Sequence, residues 1–174
     1  MKVAITGHTQ GIGKALADVF PNHIGFSRSN GFDITDLSAR QKIIGDSQDC
    51  DIFVNNAYSG FSQVDMLFEL WEQWKDKDKI IVCLGSVAAD FVYGIYPIYR
   101  YAVQKKALED ACKHMAHTKK PCKVICVKPG FTDTQAIQHL SLTKIAKEDL
   151  ALQIKEIVEF DKTFWITTAT LYPR

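Results

Sequence analysis

Six short apolar runs alternate with segments of helical spacing along this chain, and no other feature of the sequence restricts the fold as much. The runs are Val3–Thr6, His23–Ser27, Ile52–Asn55, Ile80–Leu84, Lys123–Lys128 and Phe164–Thr167. Between them, Gly11–Phe20, Leu37–Gly45, Gln63–Lys75, Ile98–His117 and Ile145–Phe160 repeat apolar residues at steps of three and four. Strands and helices in strict alternation predict an α/β fold, a doubly wound parallel sheet of six to seven strands with helices on both faces. With 174 residues, 47% of them apolar, the chain can bury one substantial core and is cramped for two, so residues 1–174 are read as a single domain.

Charge and cysteine usage exclude several classes of partner. Lys and Arg number 21 against 20 Asp and Glu, scattered along the chain, which gives no electrostatic footprint for nucleic acid or an acidic membrane. The five cysteines form no C-x-x-C pair, and Cys83, Cys122 and Cys126 fall in apolar runs. They read as reduced, small hydrophobes of a cytoplasmic protein. Strand-like sequence begins at Lys2, leaving no room for a signal peptide, and no apolar run reaches membrane-spanning length.

The first strand runs into AITGHTQGIG, Ala4 to Gly13, with three glycines where a strand turns into a helix. Glycine is costly inside regular structure, so the cluster needs a reason. In a strand-turn-helix unit of a Rossmann-type fold, one glycine makes the turn, one lets a pyrophosphate approach the backbone and one lets the helix pack on the sheet. The helix N-terminus then favours the anion. A glycine turn with no ligand explains the pattern equally well when it stands alone.

A second feature lies on the segment from Ile98. Positions 98, 101, 102, 105, 108, 111, 112 and 115 form one stripe on which every residue but Lys105 is apolar or aromatic. A lysine there must snorkel, find a partner or serve chemistry. Tyr101 precedes it by one turn, the spacing that sets two side chains side by side. An ammonium beside a phenol is expected to lower the tyrosine pKa towards working pH, as a general acid/base for a carbonyl or alcohol requires.

Taken in order, these motifs resemble the short-chain dehydrogenase/reductase family over almost the whole chain. They are Thr6-Gly7-x-x-x-Gly11-x-Gly13, Asp33-Ile34-Thr35-Asp36, Asn55-Asn56-Ala57, Ser86, Tyr101-x-x-x-Lys105 and Pro129-Gly130 with Thr134. The resemblance implies hydride transfer between a nicotinamide cofactor and a carbonyl or alcohol. It implies that Tyr101 exchanges the proton, that Ser86 holds the substrate oxygen, and that Lys105 also binds the nicotinamide ribose. It assigns cofactor contacts to Gly7, Thr9, Gln10, Gly11, Ile12 and Gly13, to Asp33, Ile34, Asn56 and Ala57, and to Pro129, Gly130, Thr132 and Thr134. It calls for no metal. After the second strand the chain reads Ser27-Arg28-Ser29, where an arginine between two hydroxyls suits the 2′-phosphate, so NADP(H) is expected over NAD(H).

The departures are as specific as the matches. Many members carry a catalytic asparagine on the helix before the serine strand, and this chain has no asparagine after Asn56. Tyr58 replaces the glycine that usually follows Asn-Asn-Ala, Ser86 stands 15 residues before Tyr101, and little material after Gly130 is left for a lid. Three readings follow: a compact NADP(H)-dependent oxidoreductase, a non-catalytic NADP-binding regulator or scaffold of the same fold, and a cofactor-retaining isomerase or epimerase. Val64, Leu67, Phe68, Trp71 and Trp74 are expected on one broad face of the Gln63–Lys75 helix, flanked by Met66 and Leu70. Family members pair through this helix and the Tyr-Lys helix, so a homodimer or homotetramer is expected.

Overall fold

A computed structural model describes residues 1–92, 99–160 and 164–174. Strands β1 (Val3–Thr6), β2 (His23–Phe26), β3 (Ile52–Asn55), β4 (Ile80–Leu84), β5 (Lys123–Pro129) and β6 (Thr168–Leu171) form one sheet. They lie in the order β2-β1-β3-β4-β5-β6 with every pairing parallel. The helices are α1 (Gly11–Val19), α2 (Leu37–Asp46), α3 (Ser62–Trp74), α4 (Arg100–Ala116) and α5 (Lys147–Val158).

Alternate strand residues serve opposite faces, as the two-residue repeat of a strand requires. Ala4, Phe53, Ile81, Cys83, Val124 and Cys126 pack with α2, α3 and α4. Val3, Ile5, Ile52, Val54, Val82 and Ile125 pack with α1 and α5. Both faces are therefore covered, which is why the strands read as unbroken apolar runs rather than alternating ones. The order reverses between β1 and β3, and in such sheets the crevice beyond the carboxyl ends at the reversal is where ligands bind.

Two expectations are corrected here. The last strand is Thr168–Leu171, not Phe164–Thr167: parallel pairing places Thr168 to Leu171 opposite Cys126 to Pro129, while Phe164 and Trp165 are exposed. On α3 the buried stripe is Gln63, Met66, Leu67, Leu70, Trp71 and Trp74, so Met66 and Leu70 are central and Phe68 faces outward. The beginning of the predicted Ile98–His117 helix at Ile98 lies outside the described residues. All five cysteines are free and buried, and among the described residues no helix is long and apolar enough to cross a membrane.

Candidate active site

The glycine turn is tied to the point where the strand order reverses. Gly7 has a φ of 71°, a left-handed conformation open to glycine at little cost. A Cβ on Gly13 would stand 2.0 Å from the Gly7 carbonyl oxygen and 2.7 Å from Asn56 Nδ2, so the missing side chain is what lets α1 close onto the turn. Asn56 Nδ2 donates to the Thr6 carbonyl at 2.9 Å and to that of Gly7 at 3.4 Å. The Thr6 hydroxyl accepts from Asn56 N and Ala57 N, each at 3.0 Å. Together these bonds fix the ends of β1 and β3 to one another. Gln10, just before α1, makes no side-chain cap, and Thr134 packs beside Gly11, bringing the segment after β5 against the turn.

The second group lies beyond β4. Ser86 begins a short 3₁₀ segment, Val87–Phe91, its hydroxyl accepting from Ala88 N at 3.1 Å. Tyr101, in the first turn of α4, lies near this side chain. Lys128 fastens the 3₁₀ segment to β5 and α4, with Nζ 2.5 Å from Asp90 and 3.2 Å from Glu109. Burial raises the Tyr101 pKa, the nearby Ser86 hydroxyl opposing it only in part.

Lys105 is 3% exposed and lies on the inward stripe of α4. Its ammonium donates to Gln63 Oε1 at 2.8 Å and to the Leu84 carbonyl at 2.6 Å. It stands over the rings of Tyr58 and Tyr101, 5.2 and 5.6 Å from their centroids. Burial brings its pKa down to about 8, with no carboxylate among the groups that oppose the shift. The expectation that Lys105 lowers the Tyr101 pKa is thus corrected. The ammonium meets the π-face of the ring, spends its bonds on Gln63 and Leu84, and leaves desolvation to dominate the phenol.

Against known proteins, the sequence matches no family model and no curated protein. Solved structures do match. A short-chain dehydrogenase/reductase from Vibrio parahaemolyticus shares 18% identity with a TM-score of 0.74, 99% of each chain being covered. A short-chain dehydrogenase from Burkholderia cenocepacia in complex with NADP shares 17% at a TM-score of 0.75, covering 100% of this chain and 90% of that one. L-Sorbose reductase from Gluconobacter frateurii, complexed with NADPH and L-sorbose, shares 20% at a TM-score of 0.76, covering 99% and 95%. The chain has the short-chain dehydrogenase/reductase fold.

Placed on that fold, the expected cofactor residues fall in different places. Gly7, Gly11 and Gly13, with Asn56, Ala57 and Thr134, converge on the turn. Thr9 and Gln10 are exposed beside it. Ile12 packs partly against the α1/α5 core, Ile34 is buried in the other core, and Thr132 is buried with its hydroxyl on the Gly130 carbonyl at 3.2 Å, so these side chains serve packing. Gly130 N donates to the Leu171 carbonyl at 2.8 Å, and Pro129 pairs with Leu171 in the sheet, which ties that segment to β6. Asp33 accepts from Thr35 N at 2.9 Å and from its hydroxyl at 2.8 Å, and these two bonds hold its carboxyl below the usual range.

At the end of β2, Arg28 is exposed on a tight 3₁₀ turn. Asn30, not singled out from the sequence, builds that turn: its Oδ1 accepts from Ser27 N at 2.7 Å and its Nδ2 donates to the Gly25 carbonyl at 2.9 Å. Ser27 is buried, and its hydroxyl meets that of Ser29 at 2.8 Å. The two hydroxyls therefore bond each other rather than flanking the guanidinium on either side. The site thus offers an uncapped helix start, a glycine turn that a Cβ would block, and an exposed Arg28 at the end of the neighbouring strand, features that favour an anion.

Two residues at the Lys105 site were also missed. Gln63 is the one polar member of the buried α3 stripe, the same signal that singles out Lys105 on α4. Tyr58, noted only as a departure, covers the ammonium and donates its hydroxyl to Gln104 Oε1 at 2.5 Å.

Proposed function

We propose that this chain is an NADP(H)-dependent oxidoreductase of the short-chain dehydrogenase/reductase family, interconverting a small carbonyl compound and its alcohol. The observation that carries this reading is that the glycine turn, tied to Asn56 and Ala57, and Ser86 with its neighbour Tyr101 lie beyond the carboxyl ends of the same parallel strands. Bound there, the cofactor would supply or accept the hydride. Tyr101 gives its proton to the substrate oxygen as that oxygen becomes negative, or takes it in the reverse direction. Ser86 orients the hydroxyl and the substrate oxygen. Lys105 supplies the positive charge over the tyrosine ring, and the family resemblance would give it the nicotinamide ribose as well. Gly7, Gly11 and Gly13 with the start of α1 would hold the pyrophosphate, and Arg28 with Ser29 the 2′-phosphate. The NADP and NADPH in the Burkholderia and Gluconobacter structures support the choice of cofactor class. Phe61 beside α3, Phe68 on it and Val103 on α4 are exposed, which supports a homodimer or homotetramer through these helices. The free, buried cysteines fit a reducing, cytoplasmic setting.

A second reading, an NADP-binding module without turnover, draws on the placement of Lys105 over the Tyr101 ring and the raised tyrosine pKa. A panel of aldehydes, ketones and alcohols, read by NADPH absorbance, separates the two. Turnover supports the enzyme, nucleotide binding with no turnover supports the module, and absence of nucleotide binding overturns both.

A further inference from the structure

Among the described residues Lys105 has no carboxylate partner, and burying an ammonium under those conditions costs several kcal/mol unless other groups take the bonds. The groups that do so form a closed ring at the carboxyl ends of β3 and β4. Gln63 Oε1 accepts from Lys105 Nζ at 2.8 Å, and Gln63 Nε2 donates to the Asn55 carbonyl at 2.8 Å and to the Leu84 carbonyl at 3.2 Å. Leu84 O accepts from Lys105 as well, at 2.6 Å. Asn55 Nδ2 returns a bond to the Gln63 carbonyl at 2.9 Å. Both hydrogens of the Gln63 carboxamide thus point to strand carbonyls, so the amide has one orientation and its oxygen must point to the ammonium. Gln63 is 2% exposed.

We propose that Gln63 is the positioning residue for Lys105, fixing the ammonium under the Tyr101 ring from α3, the helix on which the expected asparagine is absent. The assignment rests on the proposed function for its purpose and on this ring for its geometry. The other groups facing the ammonium are the thiols of Cys83 on β4, Cys126 on β5 and Cys112 on α4, and the phenols of Tyr58 and Tyr101. These are thiols and phenols, and the carboxamide is the one side chain among the described residues that accepts a hydrogen bond from the ammonium, so it sets where the lysine charge resides.

The test uses the full chain with ¹³C-labelled lysine, following the ε-carbon resonance of Lys105 against pH and assigning it by its loss in Lys105→Met. Gln63→Glu places a carboxylate at the same site and is expected to raise the Lys105 midpoint by about one to three pH units. Gln63→Met, of similar shape without the acceptor, is expected to lower it. Midpoints unchanged in both variants overturn the assignment. Should Gln63→Met not fold, the Gln63→Glu shift alone decides. NADPH affinity near neutral pH is measured on the same samples, with at least a tenfold loss expected in Gln63→Met. The lysine resonance needs no nucleotide, so wild-type protein that binds none overturns the proposed function, whereas an unmoved midpoint overturns Gln63.

Discussion

The Lys105 ammonium stands over the Tyr101 ring, 5.6 Å from its centroid, and spends its hydrogen bonds on Gln63 and the Leu84 carbonyl. Two side chains one helical turn apart thus meet across the ring face. Gln63 and the strand carbonyl are what hold the buried charge.

That stored charge makes stability depend on pH in a definite direction. The folded pKa of Lys105, about 8, lies below its value of about 10.5 in an unfolded chain. Between these values the unfolded state binds more protons, so the lysine's contribution grows more favourable as pH rises through that window. Below it the full cost of burying the ammonium is present, at most about 3 kcal/mol from a shift of this size. Urea unfolding of wild type and Lys105→Met at about pH 7 and about pH 10 checks this. The wild type is expected to gain on the variant by up to about 3 kcal/mol at the higher pH, and a constant difference refutes the buried charge.

Gly13 and Gly45 separate packing from propensity. Gly13→Ala brings a Cβ to 2.0 Å from the Gly7 carbonyl oxygen, and neither backbone can yield without opening the bonds of Asn56. A loss of several kcal/mol or failure to fold is expected, since overpacking against fixed backbone has no cheap relaxation. Gly45 lies in α2, and a Cβ added there would meet nothing within 4 Å, so Gly45→Ala is expected to stabilise by about 0.5–1 kcal/mol. Thermal unfolding of the two variants is the measurement, and opposite signs are the expected outcome.

Arg28 tests the cofactor choice. It is exposed on a turn whose backbone Asn30 secures at both ends, so the guanidinium is presented from a fixed base. Charge-assisted bonds to a phosphate contribute about 1.5–3 kcal/mol, roughly a tenfold to hundredfold effect. Calorimetry is expected to show tighter binding of NADPH than NADH in the wild type, and Arg28→Ala to reduce that ratio at least tenfold. Equal affinities in the wild type refute the assignment.

The layered fold was legible because each strand buried on both faces leaves an unbroken apolar run, and each helix leaves a stripe. The β6 error shows the limit of that signal. Thr168–Leu171 is a partly exposed edge strand fixed by its pairing with β5, whereas the more apolar Phe164 and Trp165 stay outside. At the site, spacing set Tyr101 beside Lys105 and the family resemblance added Ser86, but neither could tell which part of Tyr101 faces the ammonium. That depends on Gln63, 42 residues away in sequence, and on the carbonyl of Leu84. A polar residue on an apolar stripe was a signal read on α4 and available on α3.

Tyr101→Phe is the substitution that decides whether chemistry occurs here. It deletes one hydroxyl and almost no volume, so the ring remains under Lys105 and against Tyr58, whose centroid lies 5.0 Å away at 79°. Removing a positioned acid/base group lowers turnover by about 10²–10⁴-fold. Since the hydroxyl lies by Ser86 and not at the glycine turn, NADPH affinity is expected to change little. Ser86→Ala is expected to lower the rate less. It also removes the cap on Ala88 N, so a modest drop in Tm should accompany it. The raised Tyr101 pKa adds a sign: the phenol stays protonated through neutral pH, which favours giving a proton to a carbonyl over taking one from an alcohol. Carbonyl reduction should therefore hold its rate across neutral pH, while alcohol oxidation should climb as pH rises towards the tyrosine range. Steady-state rates in both directions measure this. A Tyr101→Phe variant that keeps wild-type turnover, or an oxidation rate flat with pH, removes Tyr101 from the proton transfer.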